Sequence, residues 1–226
     1  GAVPVAHALV QAGCPVLFVA TLEEALELRS ALPEIALYVL QGVLHGQGEV
    51  FLAHGLRPVL NSMEQVSRWT DALARAPEMQ RDMARAALHV DTGMCRLGLD
   101  VQELAHVVDP QDFAIRCRLD LLMTHLACAS EPQHPLNAQQ LARFRVAQQM
   151  FPHVPTSIAN SSGHFLDEAF HGDLGRPGCA LYGISPNTAL PNPMAPVAQL
   201  SAPILRVRTI EHEQTVGYGA TRTVLV

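Results

Sequence analysis

The sequence predicts an α/β fold: a (β/α)8 barrel of TIM type that lacks its first strand, over residues 1–186, then a linker and the start of a C-terminal β domain, 187–226. Three observations predict it. Short apolar runs of strand length alternate with helix-patterned segments, as in a parallel sheet with right-handed crossovers. Seven strand candidates suit a closed barrel, which takes about 250 residues, better than an open sheet. The opening segment (Val3, Val5, Ala6, Leu9 and Val10, closed by Gly13) is patterned as a helix with a glycine stop. No strand precedes it, so the stretch is expected to start inside the first βα unit.

The elements follow in order. Residues 16–20 are an apolar run, and Thr21-Leu-Glu-Glu24 has the form of a capping box opening a helix with Ala25, Leu26 and Leu28. Residues 35–41 and 57–61 are the second and third strands. Ser62-Met-Glu-Gln65 is a second capping box, before a helix with Val66, Trp69 and Leu73 on one face. Residues 87–90 and 119–123 are the fourth and fifth strands. Residues 137–151 form an amphipathic helix with Leu141, Phe144, Ala147 and Phe151 along one side. Residues 156–159 and 179–182 complete the seven. From about Asn187 the texture changes: 187–196 are proline-rich, and 200–210 alternate like a strand of a different unit.

Composition removes several classes. Of the 226 residues, 49% are apolar and 16% charged, too apolar for a disordered chain. No apolar run reaches the roughly 18 residues of a membrane span, and no signal-peptide pattern opens the stretch. A formal charge of −6 speaks against a nucleic-acid partner. Five dispersed cysteines without CxxC spacing fit a reducing, cytoplasmic setting. All 15 basic residues are arginine. A stretch without lysine cannot form an internal Schiff base.

In a parallel barrel, chemistry sits at the C-terminal ends of the strands. Asn61, Asp91, Thr92, Arg96, His125, Asn160, Ser161 and Arg176 each follow an apolar run. Any one alone reads as a cap or turn residue, but their gathering at one end reads as a site. Asn160-Ser-Ser-Gly163 precedes a helical turn and Arg176-Pro-Gly-Cys179 follows. Small residues let backbone N–H groups approach an anion, and the last two strands of such barrels usually hold phosphate. The 11 histidines show neither HExxH nor paired Cys/His spacing, so no metal site is expected. GxGxxG and GxSxG are absent, and Gly217-Tyr-Gly219 reads as a turn.

His89-Val-Asp-Thr-Gly-Met-Cys-Arg-Leu-Gly98 resembles the VDTGM-x-RLG segment of alanine racemases. Thr124-His-Leu-Ala127, Ala159-Asn-Ser161, Arg176-Pro-Gly-Cys-Ala-Leu-Tyr-Gly183 and Val216-Gly-Tyr-Gly-Ala-Thr221 follow in that family's order. The resemblance implies a pyridoxal 5'-phosphate (PLP) enzyme, a cytoplasmic homodimer that interconverts L- and D-alanine for peptidoglycan. It implies that Arg96 bonds the cofactor's phenolic oxygen and that His125 packs on the pyridine ring. Ser161, Gly178 and Cys179 would hold the phosphate with Asn160 beside them, and Arg176 would face the pyridine nitrogen. Tyr218 would be the catalytic tyrosine, acting in the partner subunit's site. Racemisation by two-base proton transfer needs a group on each face. A phenol is protonated at neutral pH, so its use as a base calls for positive charge nearby.

The sequence departs from the family twice. The Schiff-base lysine, expected at the end of the first strand, would lie just before residue 1, so the stretch alone is expected to be inactive. His89 stands where the family often has a carbamylated lysine, and it is expected to serve Arg96 as a neutral acceptor. Two alternatives stay open: a related broad-specificity or serine racemase, and a non-catalytic PLP-binding protein if the chain is complete.

Overall fold

The computed structural model describes residues 1–187 and 191–224. Residues 188–190 of the expected linker and 225–226 of the expected second unit lie outside the described residues.

Helix α1 (Ala2–Gln11) leads into β1 (Val16–Val19), α2 (Leu22–Ala31), β2 (Ala36–Val39), α3 (Gly48–Ala53) and β3 (Arg57–Leu60). Then come α4 (Met63–Arg75), α5 (Glu78–Met83), β4 (Ala86–His89), α6 (Val101–Ala105), α7 (Pro110–Arg116) and β5 (Leu119–Met123). Helix α8 (Pro135–Met150) and β6 (Thr156–Ser157) complete the sheet-forming part. The six strands lie in sequence order, every pair parallel. This is the curled α/β sheet that the alternation predicts.

Local chemistry sets the element ends. Thr21 accepts the Glu24 N–H and the Glu24 carboxylate returns to the Thr21 N–H, so the expected capping box is present. At Ser62 only half of the box forms. Its hydroxyl accepts the Gln65 N–H at 3.2 Å, but the Gln65 side chain turns away to the Asn61 N–H and the Gln41 carbonyl.

Alternation along each strand makes two cores. Leu37, Val39, Leu60, Ala86, Leu88 and Leu122 face the helices, where Leu28, Val66, Trp69 and Phe144 meet them. Tyr38, Val59, Ala87, Leu121 and Met123 face inward. The inner face is closed at the strand starts by a polar floor. Tyr38 Oη donates to Asp120 Oδ1 at 2.7 Å, and Arg57 Nη1 donates to Asp120 Oδ2 at 2.7 Å. Phe18 stacks on Tyr38 with ring centroids 4.8 Å apart.

Two expected strands are not strands. Residues 179–182 form a 3-10 turn, Cys179–Tyr182. The Leu181 N–H bonds back to the Gly178 carbonyl and the Gly183 N–H to the Ala180 carbonyl, and Gly183, at φ 84°, turns the chain out of any ladder. The sheet side of β6 is met instead by bridges from Gly172 and Arg176 to Ser157 and Asn160. Residues 200–210 run unpaired, with Leu200, Ile204 and Leu205 at least four-fifths exposed. Alternation makes a strand only where a partner supplies the hydrogen bonds. The C-terminal stretch pairs only within itself, as an antiparallel hairpin of β7 (Gln214–Val216) and β8 (Arg222–Val224). Among the described residues no helix is long and apolar enough to cross a membrane.

Candidate active site

Strand periodicity carries the inner face to the mouth of the sheet. Asn61 follows Val59, and His89 follows Ala87, on the same face and at the strand ends. His89 Nδ1 lies 2.8 Å from Asn61 Oδ1. Asn61 Nδ2 already donates to the Leu40 and Val59 carbonyls. The imidazole must therefore donate from Nδ1, which leaves Nε2 with its lone pair. Burial, then the Arg176 charge, pushes His89 down to about 3, so it is neutral across physiological pH. Neutrality fits the expected acceptor role. The expected hold on Arg96 is not made, because neither ring nitrogen bonds that guanidinium among the described residues.

The loop after β4 is wound around Asp91. Its Oδ1 accepts the N–H groups of Gly93, Met94 and Cys95 at 2.8, 3.0 and 3.1 Å. The loop then folds back, with the Leu99 N–H on the His89 carbonyl. Gly98 makes that return possible: at φ +108° a Cβ would lie 2.7 Å from the Asp91 nitrogen. Arg96 stands exposed on this loop. His125, beyond β5, is half-buried and lowered to about 4 by burial and then by Arg176 and Arg96. Arg176 donates to Ser157 Oγ and to the Thr124 carbonyl. Both partners are neutral. Burial lowers its guanidinium to about 10, and none of the ion pairs among the described residues involves it.

Beyond β6, Asn160 Oδ1 accepts the Gly163 N–H and Nδ2 donates to the Leu126 carbonyl, so both ends of the amide are used. Ser161 Oγ accepts the Gly178 N–H at 2.8 Å and the Ala180 N–H at 3.3 Å. That gathers two loops around one hydroxyl. Cys179 is exposed beside them. The structure thus assembles Arg96, His125, Asn160, Ser161, Arg176, Gly178 and Cys179 at one end of the sheet. Tyr218 is not among them: it stands fully exposed on the turn between β7 and β8. A cavity of ≈ 620 Å³ also lies elsewhere, at the start of β5 and the end of α8.

One residue escaped the sequence reading. Gln140, fully buried on α8, bonds both the β4 and β5 loops. The signal was there. The stripe of Leu141, Phe144 and Ala147 runs back through Gln140 and Asn137, and both polar residues are buried with it.

Compared with known proteins, residues 1–186 match the family model "Alanine racemase, N-terminal domain". The chain belongs to the alanine racemase family. It is 48% identical over 225 residues to an alanine racemase of Rhodospirillum rubrum, covering 99% of this chain and 59% of that protein. It is 43% identical to a catabolic alanine racemase of Agrobacterium fabrum, covering 100% of this chain and 58% of the other. Alanine racemase from Bartonella henselae, solved with covalently bound pyridoxal phosphate, superposes with a TM-score of 0.80 at 36% identity, covering 87% of this chain and 56% of that one. The biosynthetic enzyme of Pseudomonas aeruginosa gives 0.84 at 31%, covering 98% and 61%. This alanine racemase chain therefore spans about three-fifths of the length of the curated relatives it matches.

Proposed function

We propose that the protein to which these residues belong is a PLP-dependent alanine racemase, interconverting L- and D-alanine by two-base proton transfer. Arg176 carries the reading. A largely desolvated cation held by neutral acceptors alone among the described residues is costly unless an electron-rich partner meets it. That fits a site for an anionic cofactor with a basic ring nitrogen. The family match gives the cofactor its name.

When bound, PLP supplies the electron sink that stabilises a carbanion at the substrate's α-carbon. This chain's residues do the rest. Arg176, charged at neutral pH and donor-only, would meet the ring nitrogen of the bound cofactor and hold it without a proton. The result is a milder sink, which restrains transamination. His125, neutral at working pH, packs against the ring without adding charge. Ser161 and the Gly178–Cys179 backbone, drawn together by the Gly178 N–H on Ser161 Oγ, would hold the phosphate, with Asn160 fixing the turn beside them. Arg96 reaches the phenolic oxygen from its loop. Tyr218, exposed on its hairpin, would take the α-proton of one enantiomer on one face, and supply it there in the reverse direction, in the site of the partner subunit of a homodimer, while the second base serves the opposite face. The second base is a lysine outside this stretch, which has none. In this reading residues 1–186 are the cofactor barrel, 187–226 open a second unit, and the enzyme supplies D-alanine for peptidoglycan in the cytoplasm.

The test uses the full-length protein loaded with PLP. Conversion of L-alanine to D-alanine, faster than conversion of serine or lysine, is the expected result. A PLP-loaded protein that racemises serine or lysine faster, or no amino acid at all, overturns it.

A further inference from the structure

We propose that Gln140 is a positioning residue, whose side-chain amide clamps the loops carrying Arg96 and His125 into one rigid bracket; the proposal rests on the functional reading above. Gln140 is completely buried, and all three hydrogen bonds of its amide go to site loops. Nε2 donates to the His125 carbonyl at 2.9 Å and to Thr92 Oγ1 at 3.1 Å. Oε1 accepts the Ala127 N–H at 2.9 Å. The carbonyl of 125 and the N–H of 127 are the two groups a neighbouring strand would bond. One side-chain amide here replaces that strand and fixes the backbone from which the His125 ring projects.

The bracket extends to Arg176. Because Nε2 donates to Thr92 Oγ1, the Thr92 hydroxyl hydrogen is free for Thr124 Oγ1, 2.8 Å away. The Thr124 carbonyl in turn accepts from Arg176. Arg143, one helical turn beyond Gln140, donates to the Thr92 carbonyl at 2.8 Å. An unbroken hydrogen-bonded layer thus runs from α8 through two loops to the buried guanidinium. Thr92 and Thr124 are each 1% exposed, so water cannot stand in for a lost member. Leucine or methionine would fill a purely structural position on this helix face equally well. An amide there is explained by the loops it holds.

The test compares Gln140→Met, which keeps the volume and removes all three bonds, with Thr92→Val, which removes the hydroxyl link alone. Tyr38→Phe, on the floor of the sheet, is the control for general destabilisation. Two quantities are read on the full-length protein: the rate at which bound PLP dissociates, and the titration midpoint of the His125 ring by NMR, with and without PLP. Arg176, Arg96 and His89 are the charged and titratable groups around that ring. Gln140→Met is expected to speed PLP dissociation about tenfold, as lost supporting contacts do. It should also raise the His125 midpoint by about one pH unit as the loosened ring meets water. Thr92→Val should speed dissociation about fivefold, the worth of one hydrogen bond. If both variants shift neither quantity more than Tyr38→Phe does, Gln140 only fills the core and the proposal fails. A protein that binds no PLP sinks the functional reading instead, and the His125 titration of the free protein then decides the role of Gln140.

Discussion

The two ends of the sheet each hold a partly buried arginine, and among the described residues only one is paired with a counter-charge. At the floor, Arg57 meets the Asp120 carboxylate at 2.7 Å, with Tyr38 donating to the same group. At the mouth, Arg176 meets a hydroxyl and a carbonyl and no carboxylate, among neutral histidines. The floor is electrostatically complete; the mouth is complete only with something added. Stability and function are thus separated along one set of strands, as expected of a fold whose chemistry sits at the strand C-termini.

The sharpest way to break this contrast is to remove each arginine's role in turn. Arg176→Met should lower racemase turnover of the full-length enzyme about a hundred- to a thousandfold, as loss of a preorganised donor does. Its melting temperature should hold or rise, because an uncompensated buried charge is gone. Steady-state kinetics and calorimetry read the two. Acid comes next. His89 and His125 are neutral in the fold, at about 3 and about 4, against 6.5 when unperturbed. The unfolded chain takes up protons that the fold refuses, so their contribution is full above pH 6.5. It is lost as pH falls toward the folded values, and together they cost about 4 kcal/mol between pH 7 and 5. Urea unfolding at the two pH values, repeated on His89→Gln, should show a smaller loss in the variant. Asp120, raised by burial, works in the opposite direction at the floor.

The remaining tests concern the floor. Asp120→Asn leaves Arg57 without its carboxylate and should cost about 2 kcal/mol, less than a fully sealed pair because both side chains are partly exposed. Tyr38→Phe removes one hydrogen bond and should cost about 1 kcal/mol. Urea unfolding measures both, and neither variant should change turnover in the full-length enzyme. A floor variant that lost activity would end the separation.

What the sequence disclosed follows the same division. Apolar runs and caps located the six strands and helices such as Leu22–Ala31, because those signals are local. The residues after each run located Arg96, His125, Ser161 and Arg176 for the same reason. Two things were not legible. Residues 179–182 look like a strand, and only Gly183 in a left-handed conformation and the absence of a ladder make them a turn. Gln140 lies on the apolar stripe of its helix, but nothing nearby in sequence shows that two loops need its amide. Its partners lie 13 to 48 residues away.

The order of the sheet has a consequence in time. Among the described residues every strand from β1 to β6 pairs with its neighbours along the chain, so none of these pairings waits for a distant segment. Closing short loops costs little entropy, and contacts close in sequence form early. The sheet can therefore grow by accretion as the chain leaves the ribosome, each βα unit docking on an edge already laid down. The mouth matures last: Arg176 reaches Thr124 and Ser157 only after β6 is in place. The Arg176 contacts are thus complete only once the earlier units have docked.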